Sequence, residues 1–335
     1  MTESAPTPEA SFAHALAARV SSGHRVLLTG PVDPDGDSIG ACLALQEGME
    51  QVTGATVVVG GEPGTRYAWL PRAPGMVPDP ELAGAWDLVI VLDGDRFRLE
   101  AGAEAAFRDA GARAIVDHHR STTTNGYDLA LVRPHASSTC ELVYGVLRAW
   151  GVTIDRDLAA MLYTGLVFDT GGFRHSNTTP AIHHLAAGLL EHDIDHADIA
   201  LKVLVERDRA GLQLLGDVID RVRFYGGGRV SVASIPQATM LRLGANAQDI
   251  EGIVDTLLHT RGVEVSCLLI EKPDGRVKLS LRSRAIVDVA DVAAGLHPGG
   301  GGHARAAGVL LAGPLHDTWG IVPDALVAAA DAAGV

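Results

Sequence analysis

The sequence predicts an α/β fold, with a mostly parallel N-terminal sheet flanked by helices and a smaller C-terminal α+β domain. Short apolar runs punctuated by Gly, Pro and acidic residues fill the first half: His24 to Thr29, Ala55 to Val59, Asp87 to Leu92 and Ala112 to Val116. Runs of this length without polar alternation fit strands buried on both faces. Helical stretches at 9–22 and 39–51, and an Ala-rich one between the last two strands, give the alternation of a parallel sheet. The second half instead places strand-like runs at 229–235, 263–270 and 277–282 around a helix at 248–258, with an Ala-rich helix at the C-terminus.

Residues 140–192 read as helical apart from a loop at 169–180. One domain is therefore expected over 10–192, a connection over 193–206 and a second domain over 207–330. A chain of 335 residues exceeds what one hydrophobic core usually serves. Its 47% hydrophobic and 20% charged residues are those of a folded protein, and with 4% aromatics the core must come from Ala, Val and Leu. No apolar run approaches the ~20 residues of a membrane span. The opening MTESAPTPEA lacks the basic start and apolar stretch of a signal peptide. Cys42, Cys140 and Cys267 lie far apart in apolar stretches, as buried thiols of a reducing compartment do, so the expected location is cytoplasmic. The net charge of −14 argues against coating long nucleic acid. A short anionic substrate stays compatible, because metal ions and a few Arg reverse the field within one cleft.

In parallel α/β sheets, ligand groups gather at the carboxyl ends of the strands. Here those ends run into PVDPDGD, LDGD and VDHH. Asp35 and Asp37, one residue apart on a turn, can each reach a different metal ion, although DPDGD alone is also a common surface turn. Asp93 ends an apolar strand, where a carboxylate must be hydrogen bonded, paired or metal-bound; its bland alternative is a helix cap. Asp117-His118-His119 is sharper, since a plain loop rarely needs two imidazoles after an apolar strand. Asp169 closes an apolar helical run before Thr170-Gly171-Gly172, where backbone can approach a ligand, and by itself also suits a helix-ending turn. As a set, aspartates with imidazole and no thiolate suit Mn²⁺ or Mg²⁺. Two such ions about 3.5–4 Å apart serve phosphoryl chemistry.

The C-terminal cluster is Gly299-Gly300-Gly301-Gly302-His303-Ala304-Arg305-Ala306-Ala307-Gly308. The glycines permit close approach to an anion, and His303 and Arg305 add donors. Arg282 and Arg284 end a strand shortly before, and Arg suits bidentate phosphate contacts. Without its neighbours the glycine run would be an ordinary flexible loop.

These motifs together resemble the DHH phosphoesterase superfamily, in the branch with a C-terminal DHH-associated domain and within it the bacterial nano-RNase and pAp phosphatase group. PDGDSIGA, the aspartate of VLDGD, VDHH, GLVFDTGGFRHSNTTP, SLRSR and GGGGHARAAG stand in the family's order and at similar spacing, over residues 10–330. The resemblance implies that Asp35, Asp37, Asp93, His118 and Asp169 bind two divalent ions, usually Mn²⁺, with Asp93 and Asp169 shared. It also implies that His119 sits beside the scissile phosphate. Arg282, His303 and the loop of Gly300, Gly301 and Gly302 would hold the far end of the nucleotide. The expected activity is metal-dependent hydrolysis of short oligoribonucleotides or linear dinucleotides such as pGpG and pApA to nucleoside monophosphates. Phosphatase action on pAp and cleavage of cyclic dinucleotides are alternatives at the same site. A nucleotide-binding protein with weakened turnover is the alternative from another class, and a pyrophosphatase fits the GGGGH ending poorly. A homodimer is implied by the resemblance alone. One position departs from the pattern: where the family's first motif begins with histidine, three positions before Pro34, this chain has Pro31. One metal site is therefore expected to be weakened. His24 is a poor substitute, because about 3.3 Å per residue separates it from the other end of its strand.

Overall fold

The computed structural model describes residues 6–334. The chain divides into two compact units between Glu206 and Arg207. In the first, the order is α1 (Pro8–Ala17), β1 (Arg25–Thr29), α2 (Gly36–Thr53), β2 (Thr56–Val59), α3 (Gly64–Tyr67), β3 (Leu88–Leu92) and α4 (Ala101–Asp109). Then follow β4 (Ala112–Asp117), β5 (Leu129–Val132), α5 (Thr139–Trp150), α6 (Arg156–Asp169), α7 (Pro180–Leu190) and α8 (His196–Leu204).

All five strands are parallel, in the order β2-β1-β3-β4-β5. Their alternate faces feed two cores. Val26, Leu28, Ile90 and Leu92 pack with α1, α2, α5 and α6, whereas Leu27, Val89 and Val91 pack with Trp86 and Phe107. That double burial is why these strands read as unbroken apolar runs. The order reverses between β1 and β3, so the chain leaves their carboxyl ends in opposite directions and a crevice opens there.

The segment 193–206, expected as a connection, contains α8. Its Ile199 and Val203 are buried in the first core, so it belongs to that unit. β5 went unrecognised in the sequence because it is a short, half-covered edge strand. Among the described residues, no helix is long and apolar enough to cross a membrane.

The second unit comprises α9 (Arg209–Arg221), β6 (Arg223–Tyr225), β7 (Val230–Ile235), α10 (Gln237–Leu243), α11 (Ile253–Leu258) and β8 (Val265–Glu271). It continues through β9 (Val277–Ser283), α12 (Val289–Leu296), β10 (Gly301–His303), β11 (Ala306–Leu311) and α13 (Leu315–Ala332). Its six strands lie in the order β10-β11-β9-β8-β7-β6, antiparallel except for the β7–β8 pair. One face is covered by α12 and α13 through Val289, Val322 and Leu326, the other by α9 and α11 through Leu214, Val218 and Ile253.

Candidate metal centre

Asp35 is the N-cap of α2: its Oδ1 accepts from the backbone N–H groups of Asp37 at 3.0 Å and Ser38 at 3.1 Å. That cap starts α2 at Gly36, earlier than its apolar periodicity indicates. Asp37, fully buried, accepts from the N–H groups of Thr139 at 2.6 Å and Cys140 at 2.9 Å. These are the first donors of α5, so a helix N-terminus faces the carboxylate. Asp37 reaches this place because α2 and α6 touch through glycine. A Cβ on Gly40 would lie 2.5 Å from the Met161 carbonyl oxygen, and one on Gly165 would lie 2.4 Å from Asp37 Oδ1.

Asp93 follows β3 with a left-handed backbone, φ 59°. Asp tolerates this region better than most residues, and Gly94 comes next. Thr139 Oγ1 donates to Asp93 Oδ1 at 3.1 Å. His118, buried at the end of β4, places Nε2 3.0 Å from Asp169 Oδ2, 3.5 Å from Asp93 Oδ1 and 3.9 Å from Asp37 Oδ2. Its Nδ1 lies 3.2 Å from the Ala136 carbonyl oxygen, which as a pure acceptor assigns the proton to Nδ1 and leaves Nε2 facing the carboxylates. Asp169, the last residue of α6, is the most open of the three carboxylates around His118.

The electrostatics fit a cation. Burial first, then the Asp37 charge, pushes Asp35 above the usual carboxylate range. Burial and then Asp169 push Asp37 up to about 6. Asp93 is raised well above its ordinary value by burial, Asp35 and Asp37. At His118 burial opposes the proton, yet Asp169, Asp93 and Asp37 raise its pKa well above that of a free imidazole. So many acidic oxygens converging on one imidazole suit a hard divalent ion, which replaces those protons. One donor atom each from Asp37, Asp93 and His118 lie within 4.8 Å of one another.

Five residues expected as metal ligands, Asp35, Asp37, Asp93, His118 and Asp169, thus meet at the carboxyl edge of the first sheet. Asp117 behaves differently from its two neighbours. Its Oδ1 accepts from the His118 N–H at 2.7 Å, the His119 N–H at 3.2 Å and His119 Nδ1 at 2.7 Å, and its Oδ2 accepts from Thr122 Oγ1. Burial works against the charge, but the His119 and Thr122 contacts hold its pKa below the usual range. It therefore orients His119 through the ring's Nδ1. The Pro31 ring packs 3.5 Å from where a Cβ on Gly94 would sit, so the position lacking an imidazole lies beside the Asp93 turn. His24 precedes β1 at the opposite sheet edge.

Sequence reasoning missed Thr139 and Asn177. Asn177 Nδ2 donates to the carbonyls of Ser137 at 3.0 Å and Asp169 at 3.2 Å, tying the loop before α5 to the end of α6. The Ser137-Ser138-Thr139 run was the available signal for the helix start, since Ser138 caps α5.

In the second unit the glycine run is no open loop. Gly301 to His303 form β10, paired antiparallel with β11. A Cβ on Gly300 would lie 2.2 Å from the Ala293 carbonyl oxygen, and one on Gly302, φ 139°, would lie 2.6 Å from that of Ala306. Glycine thus serves the packing of this hairpin against α12 at position 300 and the close pairing of β10 with β11 at position 302. Arg305 NH1 donates to the Val287 carbonyl at 2.6 Å, so its side chain straps the β9–α12 connection. Arg284, expected to suit phosphate, donates instead to the carbonyls of Val263, Leu258 and Thr260. Arg282 is half-buried on β9 and pairs with Asp255 at 3.2 Å.

Residues 25–166 match the model of the DHH family, N-terminal domain, and residues 219–331 that of the DHHA1 domain. The chain is 30% identical to the bifunctional oligoribonuclease and PAP phosphatase NrnA of Thermus thermophilus, over 84% of this chain and 82% of that protein. It is 23% identical to a probable manganese-dependent inorganic pyrophosphatase of Streptococcus agalactiae, over 73% of this chain and 82% of that one. An exopolyphosphatase-related protein from Bacteroides fragilis shares the fold, with a TM-score of 0.83, 24% identity and full coverage of both chains. With an acidic, His-bearing centre at the edge where β1, β3 and β4 end, and matches to both domain models, this chain belongs to the DHH phosphoesterase family.

Proposed function

We propose that this protein hydrolyses short oligoribonucleotides and linear dinucleotides such as pGpG and pApA to nucleoside monophosphates. The observation that carries this reading is the convergence of Asp37, Asp93 and Asp169 on His118 Nε2, in a chain similar over most of its length to an oligoribonuclease. Asp35, Asp37, Asp93, His118 and Asp169 would hold two divalent ions, manganese first, which when bound supply charge for the phosphate and acidify water. Asp117 fixes the His119 ring beside this cluster, where the imidazole serves the scissile phosphate or its leaving oxygen. Arg282, His303, Arg305 and the glycines Gly300, Gly301 and Gly302 would contact the nucleotide. The same site serves pAp as a phosphomonoester, a reading favoured by the PAP phosphatase activity in the name of the Thermus relative. Three unpaired, buried cysteines accord with a cytoplasmic location. A homodimer is the assembly to test by sedimentation.

The test is product formation from pGpG, pApA and pAp with Mn²⁺, against EDTA and against Asp93→Ala. Nucleoside monophosphate release that needs the metal and vanishes in the variant is the expected result. Near-normal turnover by Asp93→Ala, with its circular dichroism unchanged, would remove the centre from the reaction.

A further inference from the structure

After Asp93 the chain makes a tight turn, Arg96–Arg98, whose central residue, Phe97, is 74% exposed. A large aromatic so open to water on a loop loses the stabilisation that burial would give it. The turn holding it is nevertheless rigid. Asp95 Oδ2 accepts from Thr123 N and Oγ1, both at 3.1 Å. Tyr127 donates to Asp95 Oδ1 at 3.3 Å and accepts from Arg96 N at 3.0 Å. The Arg98 carbonyl accepts from the Val32 N–H at 2.7 Å, which fastens the turn to the loop leading into Asp35.

The ring is also oriented. The Arg96 guanidinium lies 4.8 Å from the Phe97 centroid and 6.0 Å from that of Phe107. It is wedged against Gly126, where a Cβ would come within 2.8 Å of Arg96 NH1, and its Nε is buried without a hydrogen bond. The Arg96 guanidinium thus contacts both rings, of which Phe107 is buried and Phe97 exposed. A flat group can stack on a ring so exposed, and every nucleobase offers a π-face for that contact.

We infer that Phe97 is a stacking platform for one nucleobase of the substrate, placed by its turn at the same sheet edge as the metal centre. This rests on the nucleotide reading proposed above and adds a binding residue to it. The contact needs no base-specific hydrogen bond, so it serves any base and selects for a nucleotide over a simple phosphate ester.

The test uses the full-length protein with Mn²⁺ on pApA and on two analogues, each lacking one of the two bases. Phe97→Ala is expected to lower kcat/KM on pApA about tenfold, mainly through KM, while Phe97→Trp retains most of it. On one of the two abasic analogues the gap between wild type and Phe97→Ala should shrink to about twofold, because the stacked partner is gone. Equal losses on all three substrates, a Phe97→Ala rate within about twofold of wild type on pApA, or Trp behaving like Ala would overturn the platform. A change in sedimentation of Phe97→Ala that accounts for its lost activity would assign the ring to a contact between copies, and also overturn it. Wild-type protein inactive on every nucleotide would instead sink the functional reading, an outcome distinct from the others.

Discussion

Replacing Asp37 with Asn removes one charge from the buried cluster while keeping the side-chain shape. In the metal-free protein, Asp37 holds its proton up to about 6 rather than 3.8, through burial and then the Asp169 charge. Since the folded-state pKa is raised, this group stabilises the fold fully below 3.8 and loses that contribution as pH rises through about 6. At about 1.36 kcal/mol per pH unit the whole loss is about 3 kcal/mol. About 2 kcal/mol of it falls between roughly pH 4.5 and 7.5. His118 acts with the same sign, because its raised pKa also favours the folded state at low pH. Asn keeps one acceptor oxygen, so one of the two α5 N–H groups loses its carboxylate partner, at a pH-independent cost of about 1–3 kcal/mol. Urea unfolding in EDTA should therefore show Asp37→Asn gaining about 2 kcal/mol on wild type across that pH range. Saturating Mn²⁺ should reverse the order, since only the intact ligand set binds tightly. A stability difference that stays constant with pH would refute the charge argument.

Asp117→Asn should lower kcat about 10- to 100-fold with Mn²⁺ binding little changed, because it disorders His119 and spares the ligands; unchanged kcat in steady-state assays would remove Asp117 from the positioning role. Calorimetric titration with Mn²⁺ should give two unequal sites in the natural protein, and Pro31→His should tighten the weaker one. Two equally tight sites in the natural protein would show that another residue supplies the missing ligand. Arg282→Ala should raise KM on dinucleotides more than it lowers kcat, and the half-buried Asp255 pair adds little to stability. A dinucleotide should also outpace a long single strand, and equal rates on the two would contradict a site fitted to short substrates.

The strands β1 to β4 were legible because their apolar runs are buried, and Asp93 and His118 were legible because each stands at the end of such a run, with Asp35 on the turn that follows another. The division of labour within Asp117-His118-His119 was not. Three adjacent polar residues leave strand geometry to decide which turns inward to the backbone and which toward solvent. Thr139 escaped notice for a related reason: its contact with Asp93 is created by docking α5 onto the sheet, far away in sequence. In the second unit the glycine run misled, since glycine has no side chain with which to announce a strand. Only pairing with Ala306 and Ala307 makes β10 one. The amphipathic spacing of Leu214 and Val218 in α9 was present in the sequence and went unread.

The glycine contact between α2 and α6 gives the centre a mechanical role as well. Asp37 stands at the start of α2 and Asp169 at the end of α6, far apart along the chain, and both face His118 from a third element. An ion gripped by all three would act as a crosslink within the folded chain, tying the start of α2 and the end of α6 to the end of β4. Stripping the metal should then loosen helices well away from the chemistry. Amide exchange in α2 and α6 would quicken together, while the second unit's sheet kept its protection.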